Sequence, residues 1–317
     1  MKKLRLAVMA RERKALLKDL LLLGCVEFSE PSELEAGDFP GLERCASGEL
    51  MSDRADYALL TDAVKLMDKY APAKGGFLKP LPEAKAEAVL DESALPADLA
   101  IAGKVTDKAE EIRRCQSETA RLEASAAALA PWLELDVPLN YKGSATTVFA
   151  TASLPAAADL TEADTALGAA APEAQLFRVS ADKSLNYLAL VCYKDEYDAA
   201  LEALRPLGFN LMGPGEYAGT AKEETAKAEA AVKELAEKQQ KLAEDIAQLA
   251  SHRSELKLRA DTLSTKIARA EAEEKFMGTE TTVLLQGWLP AESEEDLARL
   301  LGKYDCAWET ADPTEEE

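Results

Sequence analysis

One uninterrupted stretch, residues 220–277, constrains the fold more than any other part of the chain. Its 58 residues contain no glycine and no proline, and Gly219 and Gly278 stand at its two ends. Because glycine and proline are the residues that most often end helices, this stretch predicts one continuous helix. At about 1.5 Å per residue the helix would be roughly 87 Å long. A helix of that length needs a partner along it.

The apolar residues of this stretch recur at alternating steps of four and three. One of the two repeating positions is mostly leucine, whereas the other includes Gln239 and Arg253. A narrow apolar stripe with this period is typical of a coiled coil rather than of a helix in a globular core. The first seam consists of Ala228, Val232, Leu235, Gln239, Leu242, Ile246, Leu249, Arg253, Leu256, Ala260, Leu263, Ile267 and Ala270.

Two earlier helical stretches supply a partner within the same chain. One begins at Ser52, a predicted N-cap, and ends before residues 72–82, which are rich in proline and glycine. The other begins near Ala97 and ends at Pro131. Together they match the long stretch in length, which favours an antiparallel hairpin; the alternative is a parallel coiled coil between two copies of the chain. The second seam consists of Ile101, Val105, Lys108, Ile112, Cys115, Thr119, Leu122, Ala126 and Leu129.

Short strands and helices are predicted on both sides of these long helices. Residues 1–28 have the pattern of strand, helix and strand, with Gly24 placed to end the helix in a left-handed conformation. Residues 281–308 repeat this pattern, and the two segments together would complete a βαββαβ unit. Residues 146–211 predict a second βαββαβ unit from one continuous segment. This order of elements is that of ferredoxin-like folds.

The predicted fold class is therefore α+β, with two ferredoxin-like α/β lobes joined by a long antiparallel coiled-coil hairpin. The shape expected is a dumbbell with a bend near Gln239, near Arg253 and at residues 72–82, where the seam is polar or its partner is interrupted. An acidic, disordered tail is expected at the end. The predicted domains are residues 1–50 with 278–311, residues 51–140 with 216–277, residues 141–215, and the tail at 312–317.

Charge and hydropathy exclude several classes of function. The net charge is −21, with 58 acidic and 37 basic residues, which argues against nucleic acid or anionic lipid as a direct partner. No run of about 18 apolar residues occurs. Lys2 and Lys3 lead into alternating charged residues rather than into a signal peptide, so a soluble, cytoplasmic chain is expected.

The residue types needed for catalysis or metal binding are sparse. His252 is the only histidine, so no histidine-based triad or metal cluster is predicted. The glycines at residues 213–219 fit neither a dinucleotide fingerprint nor a P-loop. The acidic residues at 292–296 suit the first turn of a helix. The sequence therefore predicts no catalytic, cofactor-binding or metal site.

The five cysteines are expected to be reduced. They are odd in number, widely spaced and without a Cys-x-x-Cys pair, and three of them fall in or beside apolar strands. A small buried thiol is the simplest interpretation of that placement. The cysteines are Cys25, Cys45, Cys115, Cys192 and Cys306.

Residues 281–290, Thr-Thr-Val-Leu-Leu-Gln-Gly-Trp-Leu-Pro, carry a resemblance to a known family when the acidic helix after them is included. With the opening strand, residues 16–28 and the heptads, they resemble the N-terminal cytoplasmic half of a membrane-stator subunit. That subunit, called subunit I or subunit a, belongs to V-type and archaeal or bacterial A-type ATPases. The resemblance covers essentially the whole chain and is specific through the order and spacing of its motifs.

The resemblance implies a structural, non-catalytic role in a rotary ATPase that transports protons or sodium ions. In that family the two-lobed arm lies at the cytoplasmic face of the membrane and holds the peripheral stalks, which are heterodimers of subunits E and G. The central-stalk cap subunit (C/d) is a further implied partner, and the membrane domain with the ion pathway is expected outside these residues. No cofactor or small-molecule ligand is implied, and the stalk-binding residues are not identified.

A second hypothesis comes from a different class of protein. The chain could be a free-standing coiled-coil scaffold or adaptor unrelated to rotary ATPases. Genes for ATPase head and stalk subunits beside this one would favour the stator.

Overall fold

The computed structural model describes residues 1–29, 42–45, 48–72, 83–213, 215 and 217–313. The fold is mixed helix and antiparallel sheet with long helices, and it divides into a first unit (residues 1–109 and 244–317) and a second unit (residues 110–243). In chain order the elements are β1 (Lys2–Met9), α1 (Arg13–Leu23), β2 (Glu27–Ser29), β3 (Glu43–Arg44), α2 (Leu50–Tyr70), α3 (Ala86–Val89), α4 (Leu95–Leu129), β4 (Thr147–Pro155), α5 (Leu160–Ala170), β5 (Gln175–Ala181), β6 (Leu185–Tyr193), α6 (Tyr197–Leu204), β7 (Asn210–Leu211), α7 (Ala221–Leu249), α8 (Arg253–Glu273), β8 (Met277–Gly278), β9 (Thr282–Leu289), α9 (Glu294–Leu301) and β10 (Cys306–Ala311).

The sheet of the first unit is built from both ends of the chain. β1 pairs with β10 on one side and β9 on the other, and the far edge of β9 pairs with β2 and with β8, which continues to β3. Alternate residues of β1 and β9 point to one face, where α1 and α9 pack on them. Gly24 ends α1 with φ of 69°, as predicted. The buried core is Leu4, Leu6, Val8, Leu16, Leu17, Leu20, Phe276, Val283, Leu285, Leu289, Leu297 and Leu301.

The sheet of the second unit is built from one continuous segment. Its strands stand in the order β5-β6-β4-β7, and every neighbouring pair is antiparallel. α5 and α6 pack on one face, and Asp159 caps α5 by accepting a hydrogen bond from the Thr161 backbone N–H at 2.8 Å. The buried core on this face is Ala152, Leu154, Ala163, Leu167, Ala171, Leu188, Leu190, Cys192, Ala200, Leu204 and Phe209.

The opposite face of this second sheet carries its own apolar cluster. Residues at the end of α4 and just after it cover the face, and the ring of Trp132 meets that of Tyr187 edge-on at 5.6 Å. Ser180 donates to the backbone oxygen of Pro131 at 2.6 Å, which ties the covering segment to β5. The second sheet is therefore packed on both faces. The buried residues here are Leu129, Trp132, Leu135, Leu139, Ala189 and Ala221.

The long helices pair in antiparallel register within each unit. In the first unit, Lys266 lies 2.9 Å from Asp53 and Arg253 2.9 Å from Asp68, so residue numbers rise along α2 as they fall along α8. α4 pairs in the same sense, through Lys108–Asp245 in the first unit and Lys238–Glu111 in the second, each at 2.5 Å. Every residue of the two predicted seams is buried or partly buried.

The prediction of one helix over residues 220–277 is wrong in two respects. The helix is interrupted by a 3₁₀ turn at Ala250–His252, and it ends at Glu273, so that Met277 lies in a strand. Arg253, which follows the turn, donates to the backbone oxygens of Met67 and Ala71 at the end of α2. Arg253 therefore caps the end of α2, and the α-helical hydrogen-bond pattern is interrupted by the 3₁₀ turn just before it.

Ser52 is not the N-cap of its helix, because α2 begins at Leu50. Ser52 lies in the first turn, and its hydroxyl donates to the Glu49 backbone oxygen at 2.9 Å. Residues 73–82 of the predicted break and the tail from 314 lie outside the described residues. The predicted domain limits, the dumbbell shape and its bend stay predictions.

Candidate interaction surfaces

The acidic residues at 292–296 serve the fold. Glu294, Glu295 and Asp296 occupy the first turn of α9, as the helix dipole favours. The carboxylate of Glu294 accepts hydrogen bonds from Lys2 Nζ at 2.8 Å and from the Thr310 hydroxyl, on β1 and β10. The hydrogen bond from Lys2, and then that from Thr310, lowers the pKa of Glu294. This cluster therefore ties the chain ends together.

His252 lies in the 3₁₀ turn between α7 and α8, with its side chain 42% exposed. Its Nδ1 is 2.6 Å from a carboxylate oxygen of Glu255, one helical turn away. In the part of the chain that the structure describes, no group of three or more His, Cys, Asp or Glu side chains could hold a metal ion. His252 is thus a surface residue with a local partner.

The glycine segment before α7 leads into a capping box. The Thr220 hydroxyl accepts from the Glu223 N–H at 3.3 Å, and the Glu223 carboxylate accepts from the Thr220 N–H at 3.0 Å. Such reciprocal bonds satisfy two free donors at a helix start. Gly219 accepts from the Leu139 N–H at 3.0 Å. The described residues of this segment start the helix and hold no phosphate-type loop; Pro214 and Glu216 lie outside them.

Gly287 and Trp288, which are neighbours in β9, have different roles. A Cβ on Gly287 would lie 2.3 Å from the Glu27 backbone oxygen, so glycine is required for β2 to pair with β9. Trp288 is half-buried and points to the face opposite α1 and α9. The two-residue period of β9 gives the core positions to Leu285 and Leu289 instead.

All five cysteines are free thiols, as expected. Cys115 and Cys192 are buried and the other three are partly buried. Burial is the main cause that raises the pKa of the Cys192 and Cys306 thiols, which keeps them protonated and unreactive near neutral pH. Among the residues described, no helix has the combination of length and apolar character that crossing a bilayer requires.

A charged cavity of about 410 Å³ lies in the first unit, between α1, α2 and α8. Its centre is Lys266, whose ammonium lies 2.9 Å from Asp53, 3.3 Å from Glu49 and 3.9 Å from Glu92. Arg269 lies 3.5 Å from the same Glu92. The cavity is lined by Arg13, Lys14, Leu17, Gly48, Glu49, Asp53, Glu92, Lys266, Arg269, Ala270 and Glu273.

The charges of this cavity balance and largely pair with one another. Burial alone lowers the pKa of Lys266, but hydrogen bonds to Asp53 and Glu49 outweigh it and raise the pKa overall, so the lysine stays charged. Arg13 and Glu273 close a further pair at 3.3 Å. Cross-linked ion pairs of this kind hold three helices together and provide no general acid or base.

An exposed aromatic patch, which the sequence analysis did not predict, lies on the second unit. We define the patch by Tyr141, Phe149, Phe177, Val191 and Tyr193, which occupy the sheet face that Trp132 covers elsewhere. Tyr141, Phe177 and Tyr193 are 43%, 50% and 47% exposed. An exposed apolar patch of this kind marks an interaction site more often than chance.

The class that these features define is an α+β protein with two antiparallel sheets and long paired helices. No protein-family model matches the chain, and no curated protein matches it. Among solved structures, the chain is similar to one described as "Crystal structure of the cytoplasmic N-terminal domain of subunit I, homolog of subunit a, of V-ATPase". The two are 19% identical with a TM-score of 0.48, over 98% of this chain and 100% of that one.

The family of this solved domain is the family that residues 281–290 resemble. At this identity and TM-score the similarity carries no functional argument of its own. The function has to be argued from the residues and contacts of this chain.

Proposed function

We propose that the chain is the stator arm of a rotary V- or A-type ATPase. It would be the cytoplasmic part of the membrane subunit, would anchor the peripheral stalks, and would so support ATP-linked transport of protons or sodium ions. The proposal has two supports: the resemblance of residues 281–290, and the antiparallel pairing of long helices within one chain. The pairing is the observation that carries it, because a helix pair closed on itself resists bending and needs no second copy.

The contacts between the helices suit a part that bears load. Arg253 closes the end of α2 with two hydrogen bonds and an ion pair to Asp68 at 2.9 Å. Arg259 of α8 lies 3.3 Å from Asp98 of α4, and both residues are more than nine-tenths buried. The charged cavity adds a further cross-link. Each contact joins elements that are distant in sequence, so a load on one helix is shared with its neighbours.

Each unit is interpreted as a ferredoxin-like lobe under this proposal. When the two-residue strands β3 and β8 of the first unit are left out and the remaining strands are counted in chain order, both sheets place the fourth, first, third and second side by side. The orders are β10-β1-β9-β2 and β7-β4-β6-β5. Two helices pack on one face in both cases. This antiparallel order with βαββαβ connections supports the ferredoxin-like assignment.

The proposed partners are the E and G stalk heterodimers, with the central-stalk cap subunit (C/d) as a further partner. The proposed location is the cytoplasmic face of the membrane, next to a membrane domain outside these residues. A non-catalytic role fits side chains that pair with one another rather than converge on a reacting group.

The test is binding of the purified chain to purified E–G heterodimers from the same genome, measured by isothermal titration calorimetry and by co-elution on gel filtration. A stoichiometric complex is expected. The matched control is the catalytic head without stalks, which is expected not to bind. No binding of the heterodimers, with a folded chain by circular dichroism, would overturn the stator assignment and favour the scaffold hypothesis.

A further inference from the structure

We propose that the aromatic patch of the second unit is a docking surface for an acidic amphipathic helix contributed by the stalk heterodimer. The identity of the partner chain rests on the proposed function. The position and chemistry of the surface rest on the contacts described next.

The patch is one contiguous surface. Phe149 of β4 and Gln175 of β5 both stand directly opposite Val191 of β6, so Val191 is at the centre. Phe177 and Tyr193 lie on the same face of the sheet. Phe177 is two residues from Gln175 along β5, and Tyr193 is two residues from Val191 along β6, so both are within reach of their diagonal neighbours. The ring of Tyr141 lies 5.6 Å from that of Phe149. Three exposed rings thus surround an aliphatic centre.

The patch is held in place by the backbone next to it. Gly143, with φ of 113°, bridges to Val148, and a Cβ there would lie 2.2 Å from the Thr147 backbone oxygen. The Phe149 N–H donates to the Lys142 backbone oxygen at 3.0 Å, which fixes Tyr141 beside the strand. Phe149 also belongs to the buried cluster around Trp132. A rigid surface loses little conformational entropy on binding.

Two exposed lysines flank the patch, although the chain as a whole has a net charge of −21. Lys142 follows Tyr141 and Lys194 follows Tyr193, and both lysines are exposed. Lys194 Nζ donates to the Ala145 backbone oxygen at 2.9 Å. Within the described ranges neither ammonium has a carboxylate within 4.0 Å. Asp195 follows Lys194 in the same turn, Lys194–Glu196, which leads into α6.

A helix is the occupant that fits this surface. The covered part of the same face is packed by the end of α4, through Leu129 and Trp132, so the patch continues a face that already receives a helix. An apolar helical stripe would cover the rings, and flanking carboxylates would meet Lys142 and Lys194. Binding of an amphipathic helix by an apolar surface with charged margins is a common mode of recognition.

The experiment measures E–G heterodimer affinity for the full chain and for three variants, by calorimetry. Phe177→Ser/Tyr193→Ser is expected to weaken binding by about tenfold or more, because exposed aromatic side chains dominate such interfaces. Lys142→Glu/Lys194→Glu is expected to weaken it and to reverse its dependence on salt. Tyr57→Ser/Met51→Ser is the matched control: it removes two exposed apolar side chains from α2 in the first unit and should leave affinity unchanged.

Hydrogen exchange of the wild-type complex provides a readout that does not depend on variant folding. Binding of a helix on the face should protect β4 and β6 amides beside the patch and leave the outer edge of β5 unprotected. Wild-type affinity in the patch variants would overturn the inference while the stator assignment stands, whereas no wild-type binding would overturn the assignment itself. Protection of β5 alone, which indicates strand addition, or patch-dependent self-association of the chain would also overturn the helix proposal.

Discussion

Four strands of the first sheet, β10-β1-β9-β2, follow the same order as the four strands of the second, but the two sheets differ in what packs on their faces. The second sheet has α5 and α6 on one face and the cluster around Trp132 on the other. The first sheet has α1 and α9 on one face, while its other face carries polar side chains beside Trp288, among them Lys3 and Gln286, which are less than a tenth exposed. The same topology therefore does not fix the environment of a sheet; the segments next to it do.

The difference is visible in the alternation of the central strands. β6 is apolar on both faces, with Leu188 and Leu190 toward one cluster and Tyr187 and Ala189 toward the other. β1 is apolar on one face, since Lys3 and Arg5 alternate with the core leucines. A strand buried on both faces needs apolar residues at successive positions, and a strand covered on one face needs them at every second position.

The largest effect is expected at Trp132, which is 2% exposed on the doubly covered sheet. Replacement by alanine should cost about 3–5 kcal/mol of unfolding free energy, because it empties a buried ring site. Trp288→Ala, on the face of the first sheet opposite α1 and α9, should cost less than half as much, because this ring is only partly buried. Urea unfolding followed by far-UV circular dichroism measures both. Equal costs would mean that the two faces are packed alike.

The next effect separates the helix contacts of the two units. Arg259→Met should cost roughly 3 kcal/mol, since it leaves Asp98 buried without its cation. Burial already raises the pKa of Asp98, and Arg259 opposes that rise. Lys238→Met breaks the Lys238–Glu111 pair, whose side chains are 52% and 44% exposed, and should cost about 0–1 kcal/mol. Urea unfolding measures both variants. Similar losses of unfolding free energy would contradict the contrast between the buried pair and the exposed pair.

A smaller effect tests the pairing of β2 with β9 in the first sheet. Gly287→Ala would place a methyl 2.3 Å from the Glu27 oxygen and should cost roughly 1–3 kcal/mol by forcing β2 away from β9. Hydrogen exchange at β2 should rise selectively. Gly103→Ala in α4 meets no atom within 4 Å and is the matched control, expected to stabilise its helix by up to about 1 kcal/mol. Unchanged exchange at β2 would show that the strand tolerates the methyl group.

The smallest effect is a pH dependence in the first unit. Burial, and then a hydrogen bond donated to Asp19 at 2.7 Å, raises the pKa of Tyr304 from 10.0 to about 12. Between these values the unfolded chain loses the phenolic proton and the folded chain keeps it, so stability falls as pH rises through this window. An absorbance titration of the phenols should lose its highest step in Tyr304→Phe. If the highest step persists in the variant, it belongs to another tyrosine.

Sequence patterns sufficed for the elements whose residues interact locally or by simple periodicity. The strand alternation of Leu4, Leu6 and Val8, the cap at Gly24 and the two heptad seams are all of this kind. Arg253 in the seam indicated a local irregularity, but the 3₁₀ turn at residues 250–252 was not predicted. Arg253 donates hydrogen bonds to the end of a helix nearly two hundred residues away in sequence, a contact that no local pattern indicates.

The aromatic patch was missed for a related reason. Tyr141, Phe177 and Tyr193 come from three separate segments, and each alone is an ordinary strand or loop residue. One signal existed: β6 continues its apolar pattern on both faces as far as Tyr193, beyond the part that the Trp132 cluster covers. A strand that is apolar on a face without a cover in its own chain indicates a cover from elsewhere.

The pairing of β1 with β10 also has a mechanical consequence. Lys3 stands opposite Ala311, so the start of β1 and the end of β10 lie side by side at one end of the sheet. A force that pulls those two ends apart would break the residue pairs one after another, starting with Lys3 and Ala311. A force applied along β10 alone would have to break all six registered pairs at once. The same sheet is therefore weak in one direction of pull and strong in the other.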